Sequence, residues 1–235
     1  MTRFDGLVCA ALLVCAPVLR AAANVSVDAP GLRWQFDVAL NGKPVGNHSF
    51  TVRQDGSLRV LETNASFDVK FLFVTAFRYR HQNTEVWTNG CLSSIEATTD
   101  SNGKKLSVRG SSAVDGFELS SNAGSATLSG CIQSFAYWNP AVLESNKLLN
   151  SQTGEYEDVM VTLEQREQLD VGGESVDTLR YRLSAKSGDI SLWYSSEDRT
   201  WLRLEAPARG GRTISYTAVA VPEKNSVAQL LAASG

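Results

Sequence analysis

The chain has little of the chemistry that metal centres and hydrolytic sites use. Only two histidines, His48 and His81, and four cysteines occur in its 235 residues. A zinc centre needs several converging histidine, cysteine or carboxylate ligands, so no metal site and no cofactor are predicted. The sequence also lacks the Gly-x-Ser-x-Gly motif of the α/β-hydrolase nucleophile. It therefore gives little support to a serine or cysteine hydrolase, and no catalytic residue is assigned.

Strong positive charge and long internal apolar runs are also lacking. Lys and Arg together number 22 against 25 Asp and Glu, which gives a formal net charge of −3. Nucleic-acid-binding surfaces carry clustered positive charge, so nucleic acid is not predicted as a partner. Beyond the N-terminal region no apolar run approaches the ~20 residues of a membrane-spanning helix. The mature chain is therefore predicted to have no transmembrane segment.

The N-terminal region has the layout of a cleaved secretory signal. Arg3 lies in a short start region, residues 7–19 are almost wholly apolar, and three alanines follow at 21–23. The apolar run is shorter than a bilayer requires, and small residues suit cleavage by signal peptidase. We therefore predict a signal peptide over residues 1–23 and a periplasmic or secreted mature protein.

Cleavage at that point would leave only two cysteines, Cys91 and Cys131. A lone pair of cysteines in an oxidising compartment is most simply a disulfide. Two separate buried thiols are the alternative, since free cysteine packs as a small apolar side chain. The sequence favours the bond but does not show that the two residues come within reach of each other.

Period-two alternation of apolar and polar residues dominates the rest of the chain. Residues 34–40 alternate in this way, Asn41-Gly42 is a strong hairpin signal, and residues 46–52 form the return strand. Roughly ten to twelve such strands, spaced about 8–12 residues apart, predict a mainly β fold. We expect a strongly curved antiparallel meander sheet, a half-barrel or barrel, with one short central helix.

The predicted organisation is a single β-rich domain over residues 24–221. Asn139 and Pro140 suit the cap and first turn of a helix predicted at residues 141–149. Residues 222–235 are predicted to form a C-terminal tail with a weak helical pattern. No internal repeat or linker indicates a second domain.

Residues 77–87 combine aromatic and ionisable side chains on one face of a predicted strand. Side chains alternate between the two faces of a strand. One face would therefore carry Phe77, Tyr79, His81, Asn83, Glu85 and Trp87. His81 and Glu85 would lie about 13 Å apart along the strand, too far for direct contact. His48, on an early strand, is expected to be half-buried with its hydrogen bonds satisfied.

Five strings of residues carry a family resemblance: WQFDV (34–38), YRH to EVW (79–87), FAYWNP (135–140), LLNSQTG (148–154) and LWY (192–194). Together they resemble an uncharacterised family of exported bacterial proteins with a placeholder domain name, over nearly all of residues 34–220. That resemblance implies no activity, cofactor or catalytic residue. In strand count, meander order and a helix set between strands, the chain is also similar to the periplasmic lipoprotein-carrier half-barrels, which hold acyl chains on their concave face.

Large aromatic side chains are numerous for a domain of short strands, and they either fill the interior of the sheet or line a concave apolar cleft that takes a ligand. The leading hypothesis is a non-enzymatic protein that binds a hydrophobic small molecule, a lipid or acyl chain, on the inner face of the sheet. Its predicted ligand-binding residues are Trp34, Phe71, Phe73, Tyr79, His81, Trp87, Tyr137 and Trp138. Alternatively, these aromatics simply fill the core of an envelope scaffold that binds another protein. A hydrolase using His81 is a third, weaker hypothesis.

Overall fold

The computed structural model describes residues 31–71 and 74–232, and of residues 71 and 74 the backbone only. The predicted signal peptide therefore lies outside the described residues. The first eight of fourteen strands precede the central part of the chain. They are β1 (Leu32–Leu40), β2 (Lys43–Asp55), β3 (Leu58–Phe71), β4 (Val74–Thr88), β5 (Cys91–Ser101), β6 (Lys104–Ala113), β7 (Gly116–Ser121) and β8 (Gly124–Leu128).

Six further strands and two short helices follow. The helices are a 3-10 helix at Pro140–Glu144 and α1 (Ser226–Ala232). The strands are β9 (Lys147–Leu149), β10 (Tyr156–Val171), β11 (Glu174–Ala185), β12 (Gly188–Ser195), β13 (Trp201–Ala208) and β14 (Arg212–Ala220).

The fourteen strands of the described residues all belong to one antiparallel meander sheet. Its order is β8-β7-β6-β5-β4-β3-β2-β1-β14-β13-β12-β11-β10-β9, so the first and last strands, β1 and β14, pair in the middle. The edge strands β8 and β9 are not paired with each other in the described part of the chain, and the sheet stays open. The predicted mainly β, antiparallel meander fold is confirmed, with more strands than expected.

Asn-Gly turns set the register of several hairpins. Asn41 and Gly42, between β1 and β2, have φ values of 49° and 73°. Positive φ at both central residues is what a type I′ hairpin turn requires. Asn102 and Gly103 repeat this conformation between β5 and β6, with φ values of 54° and 89°. Since these turns fix the register, the period-two faces read from the sequence become specific cross-strand neighbours.

Cross-strand pairing arranges the inward side chains of β1 to β4 in rows. The first row contains Phe36, His48, Ala65 and His81. The second row contains Trp34, Phe50, Thr63 and Asn83. In both rows the β1 end is aromatic and the β4 end is polar. The sheet therefore carries a group of polar side chains inside an otherwise aromatic interior.

The chain between β8 and β10 crosses the inner face of the sheet, and we call residues 131–154 the inner segment. Its Trp138 is fully buried and packs edge-on against Trp87 of β4, with ring centroids 6.1 Å apart. On the other side, Tyr194 of β12 donates its hydroxyl to the carbonyl of Tyr137 at 2.8 Å. The inner segment thus connects β4 to β12 across the interior.

The helix predicted at residues 141–149 is shorter in the structure. The side chain of Asn139 accepts a backbone N–H and caps the single 3-10 turn at Pro140–Glu144, as the Asn-Pro pair predicted. Residues 147–149 form β9 instead, because they pair with residues 156–158 of β10 and bury two leucines. Pairing and burial outweigh the local helical preference.

Cys91 and Cys131 form the predicted disulfide. Cys91 begins β5 and Cys131 begins the inner segment, so the bond ties that segment to the β4–β5 hairpin. Next to it, the N–H of Leu92 donates to the carbonyl of Ile132 at 2.9 Å. One end of the inner segment is therefore fixed both covalently and by backbone pairing.

The C-terminal helix α1 packs against the sheet through buried Val227. Arg59 of β3, itself 4% exposed, donates to the carbonyls of Leu230 and Leu231 at 3.0–3.2 Å. A cation at a helix C-terminus satisfies carbonyls that have no partner within the helix. The predicted tail thus contains a helix held to the sheet. No helix in the described residues is long and apolar enough to cross a membrane.

Candidate functional site

A cavity of about 440 Å³ lies between the inner face of the sheet and the inner segment. Strands β2 to β4 and β12 to β14 contribute most of its wall, and the inner segment contributes the rest. Rings predominate in that wall. They belong to His48, Phe50, Phe67, Phe77, Tyr79, His81, Phe135, Tyr137, Trp201 and Tyr216. Pockets of roughly 300–1,000 Å³ accommodate small molecules, so this one is large enough for a ligand.

Stacked rings form one side of the cavity. Phe67 and Tyr79 are opposite each other on β3 and β4, and their rings stack with centroids 5.1 Å apart and planes 9° apart. Tyr216 of β14 meets Phe67 edge-on at 6.2 Å. Burial raises the pKa of Tyr79 and of Tyr216 above the ordinary value. Both phenols therefore stay neutral, and this part of the wall is apolar and uncharged.

Neither ring nitrogen of His48 has a hydrogen-bond partner among the described residues. Its ring lies against Phe50, with centroids 4.1 Å apart, and 6.5 Å from the ring of His81. Burial, and secondarily His81, lowers the pKa of His48 from 6.5 to about 3. The neutral imidazole presents one N–H donor and one acceptor. His48 is half-buried as expected, but the expectation that its hydrogen bonds are satisfied was wrong.

His81, by contrast, has a hydroxyl at each ring nitrogen. Its Nδ1 lies 2.9 Å from Oγ1 of Thr99 on β5, and its Nε2 lies 3.4 Å from Oγ of Ser151 in the inner segment. Burial lowers the pKa of His81 from 6.5 to about 4. The ring is therefore neutral near pH 7 and links β4 to β5 and to the inner segment.

Glu85 is a buried carboxyl group whose oxygens are already occupied. It accepts hydrogen bonds from Nδ2 of Asn83 at 2.9 Å, from Nε1 of Trp87 at 3.0 Å and from Oγ of Ser134 at 3.0 Å. Burial raises its pKa, although these donors act in the opposite direction. The indole N–H of Trp87 can only donate, whereas the Ser134 hydroxyl can also accept a hydrogen bond from a protonated Glu85. As predicted, Glu85 does not touch His81.

Two more polar atoms in the wall, Oγ1 of Thr63 and Oδ1 of Asn83, have no partner in the described part of the chain. The two residues are cross-strand neighbours on β3 and β4, and they are 8% and 5% exposed. Since Nδ2 of Asn83 donates to Glu85, the orientation of the amide is fixed and Oδ1 is left as an acceptor. We call His48, Thr63 and Asn83 the polar patch.

The described lining of the cavity contains no lysine or arginine, and Glu85 is its single acidic residue. Its histidines and tyrosines are neutral near pH 7, and Glu85 is saturated with donors. Across residues 31–71 and 74–232, no three His, Cys, Asp or Glu side chains converge in a way that could hold a metal ion. The wall thus combines aromatic rings with an uncharged polar patch.

The structure brings some of the predicted ligand-binding residues to the cavity and places others elsewhere. Those in the wall are Tyr79, His81 and Tyr137. Those in the packed core, at most 1% exposed and outside the cavity lining, are Trp34, Trp87 and Trp138. Phe73 and the side chain of Phe71 lie outside the described residues.

Sequence reasoning did not identify the polar patch or the contribution of the C-terminal strands. Alternation along β2 and β3 would have placed His48 and Thr63 on inward faces, and their pairing across the Asp55-Gly56 hairpin would have made them diagonal neighbours. Nothing local marks Tyr216 of β14 as part of the wall. It reaches the cavity only because β14 pairs with β1.

A larger groove of about 900 Å³ lies along β4 to β8 and is lined mainly by exposed side chains. Its charged residues include Glu96 and Arg109, which pair with each other at 3.2 Å. Exposed ion pairs of this kind contribute little. None of its described lining residues has an unpartnered buried polar atom, so the smaller inner cavity is the better candidate site.

Comparison with known proteins identifies a family and a fold. A family model described as a domain of unknown function (DUF6134) matches residues 36–219. No curated protein matches the chain. Among solved structures, a beta-barrel-like protein of the domain of unknown function DUF1849 from Brucella abortus is similar, with a TM-score of 0.59 and 8% sequence identity over 83% of this chain and 98% of that chain. Similarity at so low an identity shows the fold alone. The predicted resemblance to an uncharacterised family is confirmed.

Proposed function

The chain belongs to the DUF6134 family of domains of unknown function, and from the geometry of its cavity we propose that the protein binds a hydrophobic small molecule inside the curved sheet. The proposed role is binding without catalysis. The ligand would be a lipid or another molecule with an acyl chain, held between the sheet and the inner segment.

The ring-lined cavity is the observation that supports this proposal best. Protein interiors are close-packed and contain few voids larger than a water molecule. A pocket of about 440 Å³ between the sheet and the inner segment leaves room for a small apolar molecule. An envelope scaffold with a filled core, the alternative function, does not account for such a space.

The chemistry of the wall is suited to an apolar ligand. The rings of Phe67, Tyr79 and Tyr216 provide apolar surface, and no lysine or arginine belongs to the described lining. Removing apolar surface from water stabilises a complex by roughly 25 cal/mol per Å² before the costs of ordering the ligand are subtracted. A buried apolar chain could therefore supply most of the binding free energy.

Export to an oxidising compartment is part of the proposal. The predicted signal peptide motivates it, and the Cys91–Cys131 disulfide supports it, because such bonds persist outside the reducing cytosol. Fractionation of a bacterial cell that expresses the full chain, with N-terminal sequencing of the product, tests it. A mature N-terminus near residue 24 is expected, and a full-length cytoplasmic protein would contradict export.

Native mass spectrometry of the protein purified from a bacterial envelope tests ligand binding. The expected result is a co-purifying hydrophobic molecule that is released on denaturation and identified by its mass. A ligand-free protein that also fails to take up added dodecanol would contradict the proposal. Protein refolded from denaturant without lipid serves as the unliganded control.

Ser151 and His81 support a second candidate function, the hydrolysis of an ester. If Nδ1 of His81 donates to Thr99, then Nε2 can accept the proton of the Ser151 hydroxyl as its oxygen attacks a carbonyl carbon. This candidate is weaker, because a hydroxyl rather than a carboxylate partners Nδ1 and the lowered pKa of His81 makes it a poor base. Turnover of p-nitrophenyl esters that is lost in Ser151→Ala would support it, and absence of turnover by the wild type would contradict it.

A further inference from the structure

The unpartnered atoms of the polar patch specify the ligand more closely than the aromatic wall does. His48, Thr63 and Asn83 all line the cavity, and four of their side-chain atoms have no hydrogen-bond partner among the described residues. A buried polar group without a partner destabilises the ligand-free protein. Three such side chains side by side on β2, β3 and β4 therefore form a costly arrangement that a bound polar group would relieve.

The orientation of Asn83 determines what that polar group must provide. Nδ2 of Asn83 donates to Glu85 at 2.9 Å, so its free Oδ1 can only accept. A ligand atom at this position must carry a hydrogen. The neutral His48 ring offers both a donor and an acceptor, and the Thr63 hydroxyl can act in either sense. A hydroxyl group can donate its single hydrogen to Oδ1 of Asn83 and accept hydrogen bonds from the N–H of His48 and from the hydroxyl of Thr63.

Charge on the ligand would find no compensation in this wall. The described lining has no lysine or arginine to balance an anion. A cation would meet only Glu85, whose two oxygens already accept from Asn83, Trp87 and Ser134. Burying an unpaired charge is far more costly than burying a neutral polar group. The described wall therefore offers no positive side chain to an anion and no free carboxylate oxygen to a cation.

We infer that the ligand is an uncharged amphiphile whose hydroxyl group bonds to His48, Thr63 and Asn83 while its apolar body lies among the aromatic rings. This inference rests on the proposed function and adds to it the polarity of the ligand. It distinguishes a fatty alcohol or similar neutral molecule from a free fatty acid of the same chain length.

Displacement of a neutral fluorescent probe, N-phenylnaphthylamine, from the full chain by four compounds with one dodecyl chain tests the inference. The compounds are dodecanol, its methyl ether, dodecanoate and dodecylammonium. Dodecanol is expected to displace the probe at a concentration about tenfold lower than the other three, the effect of one lost hydrogen bond or one uncompensated charge. Equal potency of the ether, or greater potency of either ion, would overturn the inference while leaving ligand binding intact.

Variants locate the polar contact. Thr63→Val keeps the size of the side chain and removes the free hydroxyl. It should therefore weaken the binding of dodecanol about tenfold and leave the binding of the methyl ether unchanged. Thr84→Val, on the exposed side of β4, is the matched control and should change the binding of neither compound. An unchanged preference for dodecanol in both Thr63→Val and His48→Phe would overturn the assignment. Failure of the probe and of all four compounds to bind would instead contradict the proposed function, and the inference with it.

Discussion

Ser134 of the inner segment donates its hydroxyl to the carboxyl group of Glu85, with Oγ 3.0 Å from each of the two oxygens. Both residues are buried, and this contact joins the inner segment to β4 beside the cavity. Glu85→Leu would leave the donors of Ser134, Trp87 and Asn83 without their acceptor. We expect a loss of about 3–5 kcal/mol in the free energy of unfolding, measured by urea denaturation.

Glu85→Gln is the matched control for that variant, because its amide oxygen still accepts. Its loss should not exceed about 1–2 kcal/mol. If leucine is tolerated as well as glutamine, the hydrogen bonds to Glu85 do not hold the inner segment in place.

Two buried threonines provide an internal test of the unpartnered polar patch. Oγ1 of Thr178 donates to the carbonyl of Glu167 at 2.7 Å, whereas Oγ1 of Thr63 has no partner in the described structure. Thr178→Val should therefore lose about 1–2 kcal/mol of stability, and Thr63→Val should gain about 1 kcal/mol in ligand-free protein. Thermal or urea unfolding of both variants measures these two changes in the free energy of unfolding. Destabilisation of equal size in the two variants would show that the Thr63 hydroxyl has a partner.

The sheet could be predicted from the sequence because its signals are local. The alternation of apolar and polar residues predicts which side chains of β4 face inward, and the Asn41-Gly42 pair predicts the first hairpin. Most of the other strands were likewise bounded by visible turns. The path of the inner segment was not predictable in this way. Its residues 147–149 become β9 only through pairing with β10, which is a tertiary effect.

The candidate site was predictable only in part, for a reason that lies in the register. The row that holds His48 and His81 depends on a register shift between Val69 and Lys70, and the sequence between β3 and β4 contains no Asn-Gly or Asp-Gly pair. An unrecognised bulge displaces the pairing by one residue. Alternation could therefore assign each residue to a face but could not place Asn83 of β4 beside His48 and Thr63.

Acid should destabilise the protein through His81. In the folded state its pKa is lowered from 6.5 to about 4 by burial, so between these values the unfolded chain binds more protons. The contribution of His81 to the free energy of unfolding is therefore complete above pH 6.5 and is lost as the pH falls towards 4. The total loss is on the order of 3 kcal/mol.

The raised pKa of Glu85 has the opposite effect on stability. Its contribution to the free energy of unfolding is lost as the pH rises above the ordinary pKa of glutamate. The comparison is therefore between wild type and His81→Asn, which can keep the hydrogen bond to Thr99. Urea unfolding across this pH range should show a smaller dependence on pH in the variant. Parallel curves for the two proteins would rule out His81 as the cause.

The disulfide should contribute to stability chiefly by restricting the unfolded chain. Cys91 and Cys131 are separated by 40 residues, and closing a loop of that length is worth about 4 kcal/mol in the chain-entropy description. The double variant Cys91→Ser/Cys131→Ser should lose about that much in urea unfolding, and a reductant should produce the same loss in the wild type but none in the variant. A reductant effect that persists in the double variant would point to another cause.

Blocking the cavity tests ligand binding most directly. Ala206 of β13 is half-buried and lines the cavity, whereas Ala220 of β14 is exposed and lies outside it. Titration of N-phenylnaphthylamine into Ala206→Phe should show no saturable fluorescence increase, while Ala220→Phe and the wild type should bind alike, with circular dichroism confirming that all three are folded. Binding by Ala206→Phe as tight as that of the wild type would contradict the cavity as the site.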